Sequence, residues 1–530
     1  MGIPSYFSYI VKNHPEIIKK IIHSKLNINN LYMDCNSIIY DVIHTIDDSN
    51  PSTEQIISKV IGKIEEYITI INPNNKVILA FDGVAPVAKL EQQRTRRFRS
   101  NYLKQVNEKV FDKNQKSWDT TAITPGTNFM NELNISMNTY FKNHQSNIGE
   151  IIISGSNEPG EGEHKIFQYI RDHPTQHKNE TTIIYGLDAD LIMLSINHLP
   201  ISKHIYLFRE TPEFIKSIDK NLEPNENYLL DIPELASIIT TDMNNGSKMT
   251  NIQQNNRIYD YIFLCFFLGN DFLPHFPAAN IRTGGIDKLL NAYKHTVGKL
   301  NENLTDGTKI YWKNLRKIVS FMAENEEQFI QTETKLRDKR QHYFFPTETP
   351  QQKMVKFDAI PTYERKNEKF INPFKEGWRE RYYKSLFNID IDDMRTKQIC
   401  LNYMQGLEWT MKYYTTGCVD WRWCYQYNYP PLFQDLIKYM PFFDTEFVKE
   451  NSLLSVHPLV QLSYVLPRSS LDLLPKKLYD NLMIDHQDKY PSDCEFVWSY
   501  CRYFWECHIQ LPELDINELE KYVHKIMSKK

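Results

Sequence analysis

Seven acidic residues in the first 271 positions each sit at or just beyond the end of an apolar run: Asp34, Asp82, Glu161, Glu163, Asp188, Asp190 and Asp271. The segments that carry them are LYMD, VILAFD, IIISGSNEPGEGEH, TIIYGLDAD and FLCFFLGND. A carboxylate carried to the end of a buried element is costly to desolvate unless positive charge meets it. One such aspartate reads as a helix cap or a loop residue. Seven in the same setting read as a converging cation site. Oxygen ligands without His or Cys partners favour Mg²⁺, with Mn²⁺ as a substitute, over Zn²⁺.

The runs also set the fold class. Ile28–Asp34, Lys76–Asp82, Glu150–Ser154 and Thr181–Tyr185 are rich in β-branched and aliphatic residues and read as strands. Between them, Thr53–Ile70 carries Ile56, Ile57, Val60, Ile61, Ile64, Tyr67 and Ile68 at helical spacing. This alternation predicts an α/β fold with a mostly parallel central sheet flanked by helices. In such sheets ligands bind beyond the carboxyl ends of the strands, where Asp34, Asp82, Asp188 and Asp190 fall. Asp188 and Asp190 alternate, so both can face one side.

Residues 258–269 predict a buried helix stopped at Gly269. The Asn-rich stretch 212–256 predicts an excursion with little core. Residues 331–378, charged and proline-bearing, predict a linker or surface segment. It would separate a first block, 1–330, from a second helical or mixed block, 379–530. At 530 residues the chain is long enough for at least two domains.

The segment KLEQQRTRRFR places Lys89, Gln93, Arg96 and Arg97 at i, i+4, i+7 and i+8, on one helical face. It follows FDGVAP, so that face lies near Asp82. Bases beside metal-binding acids suit a terminal phosphate; alone, such a run reads as a solvated basic face. Tyr40 lies one helical turn past Asp34–Asn36, and Trp409, Trp421 and Trp423 fall in QGLEWTMKYYTTGCVDWRWCYQYNYPP. Rings there could stack on bases whatever their identity, although Trp409 fits a helical core pattern better.

Net charge is −4, so any polyanion binding must come from a local patch. The 8 cysteines form no CxxC pair, which predicts free thiols and no structural zinc site. The start of the chain lacks a signal-peptide pattern, and the longest apolar run, Tyr261–Leu268, is too short to span a bilayer. An intracellular protein is expected. The lack of a strong basic import cluster leans toward the cytoplasm.

The motifs, taken in order, resemble the Xrn family of 5′→3′ exoribonucleases. They are MGIPSYFSYI, LYMDCNSIIY, FDGVAPVAKLEQQRTRRFR, ITPGTNFM, SGSNEPGEGEHKIFQYIR, YGLDADLIML, FLCFFLGNDFLPHFP and GGIDKLL. The aromatic block, HPLVQLSYVLPRSSLDLLP and the YPSD to WECHIQLPELDIN ending then follow. The resemblance spans nearly the whole chain. It implies a PIN/FEN-like nuclease core in which the seven acids bind two Mg²⁺ ions. It implies that Lys89, Gln93, Arg96 and Arg97 form a pocket for a 5′-monophosphate. It further implies processive release of nucleoside 5′-monophosphates from single-stranded RNA, with triphosphate and capped ends spared.

Tyr40 stands where the family carries a stacking histidine, so stacking is expected to survive without an imidazole. Trp421 or Trp423 is expected opposite it. The chain ends with the second conserved block, so the C-terminal extensions of larger members are expected to be absent, and a monomer is expected. The alternatives are a DNA flap nuclease, a catalytically silent RNA-binding scaffold and, more weakly, a phosphatase with an aspartate nucleophile.

Overall fold

β-Branched and aliphatic runs become strands here because both of their faces are covered. The computed structural model describes residues 2–21, 26–46, 51–111, 118–142, 144, 148–211, 215–216, 219–244 and 249–528. Seven strands form the central sheet: β1 (Ile18–Lys20), β2 (Asn30–Asp34), β3 (Lys76–Ala80), β4 (Glu150–Ser154), β5 (Thr181–Tyr185), β6 (His204–Glu210) and β7 (Asn227–Asp231). Their order is β1-β7-β6-β5-β2-β3-β4. The five strands from β6 to β4 run parallel, and β7 pairs antiparallel with both β6 and β1. β2 to β5 fall on the four runs expected to be strands, with two residues trimmed from the start of β2 and two from the end of β3.

The chain leaves β2 toward β3 and β4 on one side, then returns to β5 on the other. β2 and β5 therefore flank the point where the strand order reverses, and the crevice beyond their carboxyl ends is the natural ligand site. One sheet face, with Leu31, Met33, Val77, Leu79 and Ile183, packs on the helices Thr53–Ile71 and Asn128–Lys142. Ser52 starts the first of these with a capping box to Gln55. The opposite face, with Tyr32, Ile78 and Ile184, shares one apolar cluster with Leu407, Trp409 and Phe433 of the second block. A further cluster joins Leu90 and Phe98 to Val460 and Leu462. The two blocks are thus cemented on both the sheet and the basic helix.

One expectation is corrected. The described residues of 212–256 contribute core: β7 and the helix Ile232–Met243 bury Leu229, Leu230, Leu235 and Ile239, while 212–214, 217–218 and 245–248 lie outside the described residues. Their short apolar pattern was masked by Asn-rich flanks. Residues 331–378 lie mostly at the surface and are largely helical. A 30-residue helix, Trp312–Gln341, runs into the segment, and the helices Pro350–Asp358, Ile360–Tyr363 and Lys366–Ile371 follow. Buried Arg337 clamps Glu368 through Nε (2.8 Å) and Nη2 (2.7 Å), while Arg365 Nε (2.6 Å) and the Tyr500 backbone N–H (2.8 Å) also donate to Glu368. Charges that read as solvated satisfy one another inside. The turn around Tyr343 and Phe344 is exposed.

The helix expected at 258–269 begins earlier, at Asn251, where Thr250 caps it, and ends through a 3₁₀ turn at Gly269 with φ 85°. Among the described residues, no helix is long and apolar enough to cross a membrane.

Candidate active site

The carboxyl ends of β2, β3 and β5 deliver Asp34, Asp82 and Asp188 to one cavity. Glu161 and Glu163 join them from the start of the helix Gly162–Asp172. That helix begins against the acids themselves, since Asp82 Oδ1 accepts the Gly162 N–H at 2.7 Å. Gly162 is required by close approach: a Cβ there would lie 2.5 Å from Asp34 Oδ1. Asp190 and Asp271 are not part of the cavity wall but stand behind it. Lys89 Nζ donates to Asp271 Oδ2 at 2.7 Å and also bonds Glu161. Asp190 Oδ1 accepts from the Tyr414 hydroxyl at 3.0 Å.

Electrostatics mark this cluster as short of positive charge. Burial, then Asp82, pushes the Asp34 carboxyl well above its ordinary range. Burial, then Asp190, does the same to Glu163. Burial and Asp271 raise Asp190 to about 7. Burial works against Asp271, but the positive groups around it, Lys89 foremost, together hold that carboxyl below the usual range. Lys89 in turn stays firmly protonated, since Asp271 and Glu161 overcome its own burial. Asp34 Oδ1 and Glu163 Oε2 are buried without a hydrogen-bond partner. Acceptors left bare in this way fit hard divalent cations. Ligand atoms of Glu161, Glu163 and His164 lie within 4.8 Å of one another.

Another wall of the same cavity is basic. Lys89, Gln93, Arg96 and Arg97 all line the cavity from the helix Val87–Phe111, with Lys89 reaching the acids and the other three lying beyond it. Arg97 is buried: its Nη2 donates to Thr124 Oγ1 at 2.5 Å, while its Nη1 has no acceptor. Burial lowers its guanidinium to about 10. The other two bases of the run do different work. Arg94 and Arg99 tie the helix to the second block through the carbonyls of Pro512 (3.0 Å) and Cys507 (2.8 Å).

Tyr40 lines the cavity, but neither Trp421 nor Trp423 does. Trp423 ends a column of stacked rings that runs through Trp409 (5.1 Å), Tyr413 (4.8 Å) and His164 (3.8 Å). The Trp421 carbonyl accepts the Val87 N–H at 3.0 Å, at the head of the basic helix.

Several site residues escaped sequence reasoning. Asn36 Nδ2 donates to Asp82 Oδ2 at 2.7 Å, and the Tyr413 hydroxyl donates to Glu161 Oε1 at 2.9 Å. The backbone of Gly2, at φ +53°, sits where a Cβ would meet Asp190 Oδ1 at 2.1 Å. The YY pair of the helix Asp393–Thr415 was a visible signal, but helical periodicity assigns it to core.

Two family models match. "XRN 5'-3' exonuclease N-terminus" covers residues 1–211, and "Xrn1 helical domain" covers 251–370 and 347–529. Among curated proteins, the chain is 27% identical to 5′-3′ exoribonuclease 2 of Arabidopsis thaliana, over 98% of this chain and 66% of that protein. It is 27% identical to the 5′-3′ exoribonuclease 2 homolog of Drosophila melanogaster, over 98% and 70%. It is 28% identical to 5′-3′ exoribonuclease 1 of Saccharomyces cerevisiae, over 99% and 43%. The chain thus spans about two thirds of the first two relatives and less than half of the third.

Proposed function

The chain belongs to the Xrn family of 5′-3′ exonucleases, and on that premise we propose that it is a processive 5′→3′ exoribonuclease. Its substrate is single-stranded RNA bearing a 5′-monophosphate, and its products are nucleoside 5′-monophosphates. The observation that carries this reading is a single cavity with bare buried acceptors, Asp34 Oδ1 and Glu163 Oε2, at one end and a bare buried donor, Arg97 Nη1, at the other. Such a cavity calls for cations at one end and an anion at the other.

The residues then divide the work. Gln93, Arg96 and Arg97 hold the terminal phosphate and so set the register of the first scissile bond. The seven carboxylates would hold two Mg²⁺ ions, or Mn²⁺. Bound there, such ions supply Lewis-acid stabilisation of the charge that develops in phosphodiester hydrolysis. Lys89 pairs with both Glu161 and Asp271, and the Tyr413 and Tyr414 hydroxyls fix Glu161 and Asp190 in place. Tyr40 offers a ring to the leading base. Trp421 is the partner left for the other side, since Trp423 is engaged in the ring column.

Product analysis on RNA labelled in its 5′-terminal nucleotide tests the reading. With Mg²⁺ and a 5′-monophosphate end, labelled mononucleotide should appear first, and chelation should stop its release. Internal fragments, free phosphate, or equal cutting of DNA flaps would overturn it.

A further inference from the structure

The basic wall holds one residue from the second block. Gln461, on the helix Pro458–Val465, is fully buried yet lines the cavity beside Gln93. Its Nε2 donates to Gln93 Oε1 at 3.3 Å, and its own Oε1 has no partner. An amide side chain presents an acceptor on one prong and two donors on the other. Beside the guanidinium groups of Arg96 and Arg97, an unrestrained Gln93 would turn its oxygen toward them and satisfy the pocket internally. That orientation would aim an acceptor at an incoming anion. With the oxygen engaged by Gln461, the Nε2 prong of Gln93 is left for the cavity.

We infer that Gln461 is a positioning residue for 5′-end recognition, which keeps the Gln93 amide turned donor-first toward a terminal phosphate. The inference rests on the 5′-monophosphate reading above and deepens it. Its logic is preorganisation: a donor already turned toward the anion need not be reoriented on binding. Gln461 lies among Val460 and Leu462, which pack on Leu90 and Phe98. The second block therefore sets the amide through the same apolar contact that fastens it to the basic helix. The sequence signal is HPLVQLSYVLP, where one polar residue interrupts an apolar helical run.

The test is a double-mutant cycle in the full chain, read as the ratio of kcat/KM for 5′-monophosphate RNA to that for 5′-hydroxyl RNA. Gln461→Met keeps side-chain length and removes the donor. It should lower the ratio about fivefold to tenfold, the scale of one ordinary hydrogen bond, with the loss falling on KM. In a Gln93→Ala background the same substitution should change nothing. Should Gln461→Met lower the melting temperature sharply, Gln461→Asn, which keeps the amide but falls short of Gln93, takes its place with the same expectation. An unchanged ratio, or an equal loss with and without Gln93, overturns the inference. Arg96→Ala with Arg97→Ala distinguishes the two failures. If that pair erases the preference while Gln461 variants keep it, only the role of Gln461 falls. If the pair keeps the preference, the phosphate pocket falls and this inference with it.

Discussion

The two ends of the cavity solve opposite problems with unequal means. The acid end is assembled from three strand ends, two helix starts and a turn, and of its seven carboxylates Glu161 and Asp271 share Lys89. The basic end comes largely from one helix face, and its buried guanidinium shares its load with Thr124. Like charges gathered in a buried place raise the energy of the folded state. A single buried guanidinium with a hydroxyl partner does so far less. The acid end is therefore expected to gain stability from bound cations, whereas the basic end should gain less from its anion.

The sharpest way to break this contrast is to remove an acid. Asp188→Ala should cut nucleotide release by about a thousandfold, the several kcal/mol expected of metal-borne charge stabilisation, while circular dichroism shows the fold retained. Turnover that persists would remove the metal assignment. At the other end, Arg96→Ala with Arg97→Ala should leave metal-dependent hydrolysis in place but reduce the preference for 5′-monophosphate over 5′-hydroxyl RNA about tenfold to a hundredfold.

Stability separates the ends without any assay of turnover. Asp190 titrates at about 7 in the folded chain against an ordinary value of 3.8. Between about pH 4 and 7 the folded chain keeps a proton that the unfolded chain has released, so this group's penalty on folding grows as pH rises and is complete above 7. In chelator, Asp190→Asn should therefore melt a few degrees above the parent near pH 7. That gap should shrink toward pH 4, and Mg²⁺ should close it at neutral pH. A gap independent of pH would show that Asp190 carries no buried charge.

The same contrast explains what could be read without a structure. Strand ends are written in contiguous runs, so β2 to β5 and the acids that follow them were legible from period and composition. The face of Lys89, Gln93, Arg96 and Arg97 was legible because one helix carries it whole. The order of those strands, and contacts made across hundreds of residues, leave no local trace. Tyr413 and Gln461 look like core because they are core, and each spends one polar atom on the site. Within 331–378, the pairing of Arg337 and Arg365 with Glu368 left no local trace, because charges that cancel in space look solvated in sequence. Trp423 fitted a stacking role by type, but the structure seats it on Trp409 at the end of a column of rings, a contact that no local pattern announces.

The smallest expected effect tests whether the second block acts on the acid end or only covers it. Tyr413→Phe keeps the ring between His164 and Trp409 and deletes the hydroxyl that donates to Glu161. Packing alone would register no change beyond a slight shift in melting. A hydroxyl that fixes the orientation of a metal-binding carboxylate would register as a change in metal demand. The Mg²⁺ concentration for half-maximal rate should rise about fivefold, the worth of one neutral hydrogen bond, and the deficit should narrow as Mg²⁺ saturates. A titration that overlays the parent's would confine Tyr413 to packing. The second block's hold on the acid end would then rest on the Tyr414 hydroxyl at Asp190, and its other contribution would lie at the basic wall.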